Sequence, residues 1–192
     1  NPIVGLDVSK NTALKSLSCG LNSKLKTLDL SANKALTRLD CSASSLVNLD
    51  VSGNPNLTEF KCDNNYSLTS LNLKNGNNTK LTVFDITRSD MLRCVQVDDP
   101  LYADRYWLRY KEATATFSSN CYGYTTIPDS NFEDRLISLG IDKDGKNGKV
   151  LTFSIEKTGM LDLGFKSISD LTGIQDFTNL QVLYCNSNQI TN

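Results

Sequence analysis

Six cysteines, one acidic loop and an aspartate that returns at regular intervals are the ligand-capable or reactive side chains of this 192-residue chain. The loop Asp142-Lys143-Asp144-Gly145-Lys146-Asn147-Gly148 is oxygen-rich and glycine-turned, a composition able to hold calcium through Asp142, Asp144 and Asn147. It departs from the EF-hand pattern, because glycine arrives at the fourth place and no glutamate stands at the twelfth. A plain polar turn is therefore the preferred reading, and no cofactor is expected. Asp7, Asp29, Asp50 and Asn72 form a second series. Stacked at strand spacing, about 5 Å apart, they could collect cations. The preferred alternative has each carboxylate accepting hydrogen bonds from the turn that follows, where Ser9, Ser31 and Ser52 stand. Paired carboxylates for glycoside hydrolysis are disfavoured, since acids at regular intervals are explained by repetition and no pair breaks the pattern. Tyr102, Tyr106, Trp107 and Tyr110 could stack on sugar rings or fill a small core, the second being preferred.

Composition narrows the field further. Histidine is absent, which removes the commonest general base and the usual imidazole ligand. The net charge of −1 from 20 basic and 21 acidic residues argues against a nucleic-acid partner. No apolar run of about 18 residues suggests membrane insertion, and no basic-then-apolar leader opens the chain. The chain lacks an initiating Met and opens mid-pattern, so any leader is expected to have been removed or to lie outside it. A non-enzymatic role is expected.

The elements that hold these side chains follow from internal repetition. The pattern Leu-x-x-Leu-x-(Leu/Val/Cys) recurs from Leu14, Leu25, Leu36, Leu46, Leu57, Leu68, Leu81 and Leu92, separated by 11, 11, 10, 11, 11, 13 and 11 residues. Motifs carrying aspartate (Leu6-Asp7-Val8-Ser9, Leu28-Asp29-Leu30-Ser31, Leu49-Asp50-Val51-Ser52) alternate with motifs ending in Cys19, Cys41 and Cys62. The true unit is the pair. Each pair predicts one coil with two short extended segments on opposite sides, apolar residues inward. Asn11, Asn22, Asn33 and Asn54 fall just after the strands, where stacked amides could form a ladder that satisfies turn backbone. An amphipathic helix fails on turn residues every ten positions, such as Ser52-Gly53-Asn54-Pro55.

With these residues in view, the chain resembles bacterial leucine-rich repeats whose 21-residue unit splits into LxxLxCSxN and LxxLDVSxN halves, found in secreted and cell-surface proteins of Gram-negative bacteria. The resemblance covers most of residues 3 to 97 and returns at 161 to 192. Ser44 replaces the usual Asn, and the loop from Lys74 to Lys80 is lengthened. The fold implied is mainly β, a right-handed solenoid with short strands, and the location implied is extracellular or bacterial cell surface.

Cys19, Cys41 and Cys62 occupy one repeat position, shared by Cys185, and are expected to be reduced thiols acting as small core residues. Cys94 takes an outward position and Cys121 lies past the last repeat, so these two are expected to pair, stapling a cap. Zinc is disfavoured, since there is no CxxC and no histidine.

A four-part organisation results: array 1–97, C-terminal cap 98–122, N-terminal cap of a second array 123–160, and the start of that array 161–192. The second cap opens with a helix after Ile127-Pro128, with Asp129 or Ser130 as N-cap, an apolar stripe of Phe132, Leu136 and Leu139, and a stop at Gly140. Residues 127–192 resemble the N-terminal cap and first coil of an internalin-like array. A chain that opens and ends mid-array is expected to belong to a tandem protein or a head-to-tail assembly.

The outward positions of the cysteine-type strands are Lys15, Ser16, Ser18; Thr37, Arg38, Asp40; Thr58, Glu59, Lys61; and Thr82, Val83, Asp85. They vary where the inward positions do not, so this surface is the expected site for a protein or glycan partner at a cell surface. A structural fibre module and an accessory module of a secreted enzyme are the alternatives. The sequons at Asn56, Asn65 and Asn77 read as accidents of an Asn-rich repeat.

Overall fold

A three-residue extended segment with one inward leucine cannot persist alone, so its stability must come from the equivalent segment one repeat away. The structure, a computed structural model, describes residues 2–191 and divides into two compact units, Asn1–Ser119 and Asn120–Asn192. It is mainly β, with short strands and few helices.

The first unit contains β1 (Ser16–Ser18), β2 (Arg38–Asp40), β3 (Asn48–Asp50), β4 (Glu59–Lys61), β5 (Ser70–Asn72), β6 (Val83–Asp85), β7 (Cys94–Gln96), α1 (Pro100–Trp107) and β8 (Thr116–Ser118). The chain alternates between two parallel sheets, β1-β2-β4-β6 and β3-β5-β7-β8. Register aligns Leu17, Leu39, Phe60 and Phe84 in one sheet and Leu49, Leu71, Val95 and Phe117 in the other. All are buried in one continuous core except Leu17, which is half-buried in the first strand. The aspartate-bearing segments around Asp7 and Asp29 form no strand, although Val8, Leu28 and Leu30 are buried.

Of the four cysteines expected inside, Cys19, Cys41 and Cys62 lie there, whereas Cys185 of the second unit is free but only half-buried. Cys19, Cys41 and Cys62 are free and buried, and each backbone N–H donates to the next layer, at Asp40 O (2.8 Å), Lys61 O (2.9 Å) and Asp85 O (2.8 Å). Burial pushes the Cys19 thiol up to about 12, and a side-chain hydrogen bond with Cys62, together with burial, holds Cys41 well above its ordinary value. Thiols held protonated are poor nucleophiles and poor ligands. Cys94 and Cys121 are disulfide-bonded. Cys94 keeps its expected outward position, level with Thr116 and apart from the inner core that Val95 joins, and is buried there, as an apolar bonded sulfur tolerates.

Residues 98 to 119 close this core. Asp99 caps α1 by accepting from Leu101 N (2.9 Å) and Tyr102 N (3.1 Å), with Pro100 at the first helical position. Trp107 lies 4.5 Å from Phe84 and 6.0 Å from Phe117, ring centre to ring centre. The cap also extends the repeat, because β8 pairs with β7 in parallel register.

The second unit contains β9 (Tyr124–Thr126), α2 (Ser130–Ser138), β10 (Lys149–Leu151), α3 (Thr152–Ile155), β11 (Met160–Asp162) and β12 (Val182–Tyr184). β9 and β10 pair antiparallel, β11 and β12 parallel, around a separate core that includes Ile127, Phe132, Leu136 and Leu161. Asp129 is the N-cap of α2: Oδ1 accepts from Asn131 N and Phe132 N, while Oδ2 accepts from Ser169 N, Ser169 Oγ and Asp170 N. Leu139 does not complete the apolar stripe. The helix ends at Ser138, so Leu139 falls past it and is exposed, and Gly140 follows at φ +69°. Glu133 is buried on that helix instead, accepting from Asn147 N (2.7 Å) and Gly148 N (2.6 Å).

Candidate recognition face

Parallel register turns one residue per repeat into a row. On the outer side of β1-β2-β4-β6 the two rows are Ser16, Arg38, Glu59, Val83 and Ser18, Asp40, Lys61, Asp85. A shallow depression of about 140 Å³ lies between them, lined by Ser16, Ser18, Arg38, Asp40, Glu59 and Lys61 among others. The face is thus assembled from strands some twenty residues apart in sequence.

Its members do different jobs. Arg38 Nε meets Glu59 Oε2 at 3.1 Å, with both side chains exposed. Such a pair contributes about 0–1 kcal/mol, so it can open toward a partner at small cost. Asp40 accepts from Ser42 N (3.1 Å), and Asp85 accepts from Thr87 N (3.0 Å) and Thr87 Oγ1 (2.7 Å). Lys15, Ser16, Ser18 and Lys61 are exposed.

The threonines act as ties within the fold. Thr37 Oγ1 donates to Lys15 O (2.9 Å), Thr58 Oγ1 to Thr37 O (3.1 Å) and Thr82 Oγ1 to Thr58 O (3.1 Å). These hydroxyls form a ladder along the sheet edge, so their regular recurrence has a structural cause. The signal was present in the sequence as a threonine at one position of three successive repeats.

The aspartates of the other half-repeat also serve their turns. Ser9 N donates to Asp7 Oδ1 (2.9 Å), Ser31 N to Asp29 Oδ1 (2.9 Å), Ser52 N to Asp50 Oδ1 (2.8 Å) and Lys74 N to Asn72 Oδ1 (3.0 Å). Hydrogen bonds from Ser9 and Ser31 hold Asp7 and Asp29 below the usual carboxylate range.

In the acidic loop, Asp144 N donates to Asp142 Oδ1 (3.2 Å), and Asp142 is buried with Oδ2 lacking a hydrogen-bond partner. Burial, then the neighbouring Asp144 carboxylate, pushes Asp142 up to about 6. Asn147 accepts from Lys149 N (3.2 Å). Among the described residues no three His, Cys, Asp or Glu side chains gather in a metal-binding group.

The cap aromatics divide. Trp107 is core, Tyr102 is half-buried against it, and Tyr106 and Tyr110 are 52% and 40% exposed. Together with residues 81–84 they line a groove of about 440 Å³ beside β6. Of the sequons, Asn65 is fully buried and serves the turn, donating to Cys41 O and Cys62 O.

No family model and no characterised protein matches the chain. Among solved structures it is similar to the functional domain of InlJ from Listeria monocytogenes, described as including a cysteine ladder. The TM-score is 0.44 and the identity 20%, with 99% of this chain covered. The chain spans 38% of the length of that one.

Proposed function

We propose that this chain is a non-catalytic recognition module, a right-handed leucine-rich-repeat solenoid of a secreted or cell-surface bacterial protein. It binds a protein or glycan through the outer face of β1-β2-β4-β6. The observation that carries this reading is the contrast between the two sides of that sheet. Underneath, Leu17, Leu39, Phe60 and Phe84 repeat one chemistry; on top, Ser16, Arg38, Glu59 and Val83 repeat none. Variation on the outer side of a stacked scaffold stores partner information without disturbing the core. The disulfide-bonded state of Cys94 and Cys121 supports an oxidising compartment.

Purified chain applied to arrays of immobilised glycans and extracellular proteins provides the test. Arg38→Glu combined with Lys61→Glu should weaken the captured interaction by about tenfold or more while leaving the melting temperature unchanged. Binding that survives both reversals would sink the assignment to this face.

A further inference from the structure

Where the recognition face ends at β6, the cap replaces charge with aromatic rings. The groove there is lined by Thr82, Val83, Tyr102, Tyr106, Trp107 and Tyr110, with Leu81 and Phe84 beneath, and none of its lining residues carries a charge. Trp107 and Phe84 form its floor, their rings 4.5 Å apart and both buried. Tyr102 and Tyr106 stand 4.6 Å apart with rings tilted by 42°. Arg105 lies 5.6 Å from the Tyr106 ring centre. Tyr110 meets no other ring among the described residues, although its backbone O accepts from Ile86 N (2.9 Å), which fixes its position at the end of the sheet.

Filling a cap core would account for Trp107 and Tyr102. It does not account for Tyr106 and Tyr110, left about half exposed around a concavity, since apolar ring surface gains by being covered. None of the three phenolic hydroxyls has a hydrogen-bond partner among the described residues, so each offers one donor and acceptor capacity at the groove rim.

These features select a ligand. Ring faces match the C–H faces of a pyranose, and the free phenols match the hydroxyls around its edge. The absence of lining charge disfavours carboxylated, sulfated or phosphorylated ligands, which would be desolvated without compensation. The volume falls within the range of small-ligand sites and suits one or two sugar rings. A proline-rich peptide also uses aromatic grooves, but it needs an extended track of about 3.1 Å per residue rather than one compact concavity.

We propose that the groove formed by Tyr102, Tyr106 and Tyr110 over Trp107 binds a neutral pyranose unit of an oligosaccharide. This deepens the recognition reading and rests on it for biological meaning, yet it concerns different residues from Arg38 and Lys61.

The chain carries a single tryptophan, Trp107, so its fluorescence reports directly on the groove. Cellohexaose, maltohexaose, mannohexaose and chitohexaose are titrated against the intact chain, alongside a polygalacturonate oligomer and a decaproline peptide. At least one neutral hexasaccharide should shift Trp107 emission saturably. Tyr110→Ala and Tyr106→Ala should each weaken it by about tenfold, the loss expected for one stacked ring. Tyr110→Phe keeps the ring and should lose less. A response to none of the four hexasaccharides, or to the acidic oligomer or decaproline alone, overturns the proposal, as does unaltered binding by the alanine variants. Sugar binding abolished by Arg38→Glu but kept by the tyrosine variants would overturn the groove and leave the recognition face standing.

Discussion

Two sets of turns join the two sheets of the first unit, and they solve the same problem with different success. After the aspartate-type segments, Asn33, Asn54 and Asn75 form an unbroken series. Asn33 Nδ2 donates to Val8 O and Asn11 O, Asn54 Nδ2 to Leu30 O and Asn33 O, and Asn75 Nδ2 to Asn54 O. After the cysteine-type strands the equivalent positions read Asn22, Ser44, Asn65 and Ser89. Asn65 bridges Cys41 O and Cys62 O and accepts from Leu46 N, whereas the buried hydroxyls of Ser44 and Ser89 find no partner; Asn33 and Asn54 leave their own Oδ1 unpaired, yet each still donates across two layers. The lesson is one of reach. A carboxamide carries two donors on a longer arm and can span carbonyls of adjacent layers, which a hydroxyl cannot.

The two sets differ in backbone too. Leu21, Ala43, Asn64 and Arg88 take φ of 58°, 51°, 59° and 56° at one position of the cysteine-type turns. The left-handed region disfavours all of these but Asn. The aspartate-type turns show no positive φ at their equivalent positions. The second unit repeats the contrast in carboxylates. Both oxygens of Asp129 are used, and although burial raises its pKa, hydrogen bonds from Ser169, Phe132 and Asp170 bring it down to about 2. Asp142 keeps one oxygen unpaired and rises to about 6.

Breaking the complete ladder should have the largest effect. Asn54→Ala takes one of two donors from each of Leu30 O and Asn33 O, which keep Asn33 N and Leu36 N, and should cost about 2 kcal/mol in urea unfolding, the net worth of two buried hydrogen bonds; a loss under half of that would mean the ladder is ornamental.

Next comes the carboxylate contrast. Asp142 holds its proton more tightly when folded than at its ordinary 3.8, so its effect on stability is absent below about pH 4, grows unfavourable up to about pH 6, and is constant above. Asp142→Asn should flatten that decline and stabilise the chain at pH 7 relative to pH 4. Asp129 works in the other sense: its contribution is full above about pH 4 and is lost as pH falls through about 2. An unchanged pH profile in Asp142→Asn would refute the first half of this contrast.

Exchange within the interrupted column sharpens the comparison. Ser44→Asn should gain about 1 kcal/mol by supplying the missing bridge, and Asn65→Ser should lose about as much or somewhat more. Equal melting temperatures for all three proteins would show that reach is not the issue. Smallest is the turn itself: Leu21→Gly removes left-handed strain but adds chain entropy, for a net gain of about 0.5 kcal/mol measurable by calorimetry.

Much of the scaffold was legible before any coordinates. Leucine spacing with asparagine punctuation gave the alternating half-repeats, because a period of two within a period of about eleven leaves few ways to bury the apolar residues. The fate of Cys19, Cys41 and Cys62 followed from their shared position. The lengthened loop was visible as an interruption, but not that Asp98 would hold it by accepting from Gly76 N and Asn78 N. Leu139 was misplaced for a simple reason: periodicity alone does not mark where a helix ends, and this one stops at Ser138.

Local pattern therefore specified which residues point inward, since alternation along a strand is a property of the backbone itself. It could not say which outward residues stay free. Thr37, Thr58 and Thr82 looked like a binding surface and became ties, while Tyr106 and Tyr110 looked like core and became a rim. Both outcomes hinge on which carbonyl or ring the neighbouring layer brings within about 3 to 5 Å, a distance set by the stacking of repeats and absent from any single one of them.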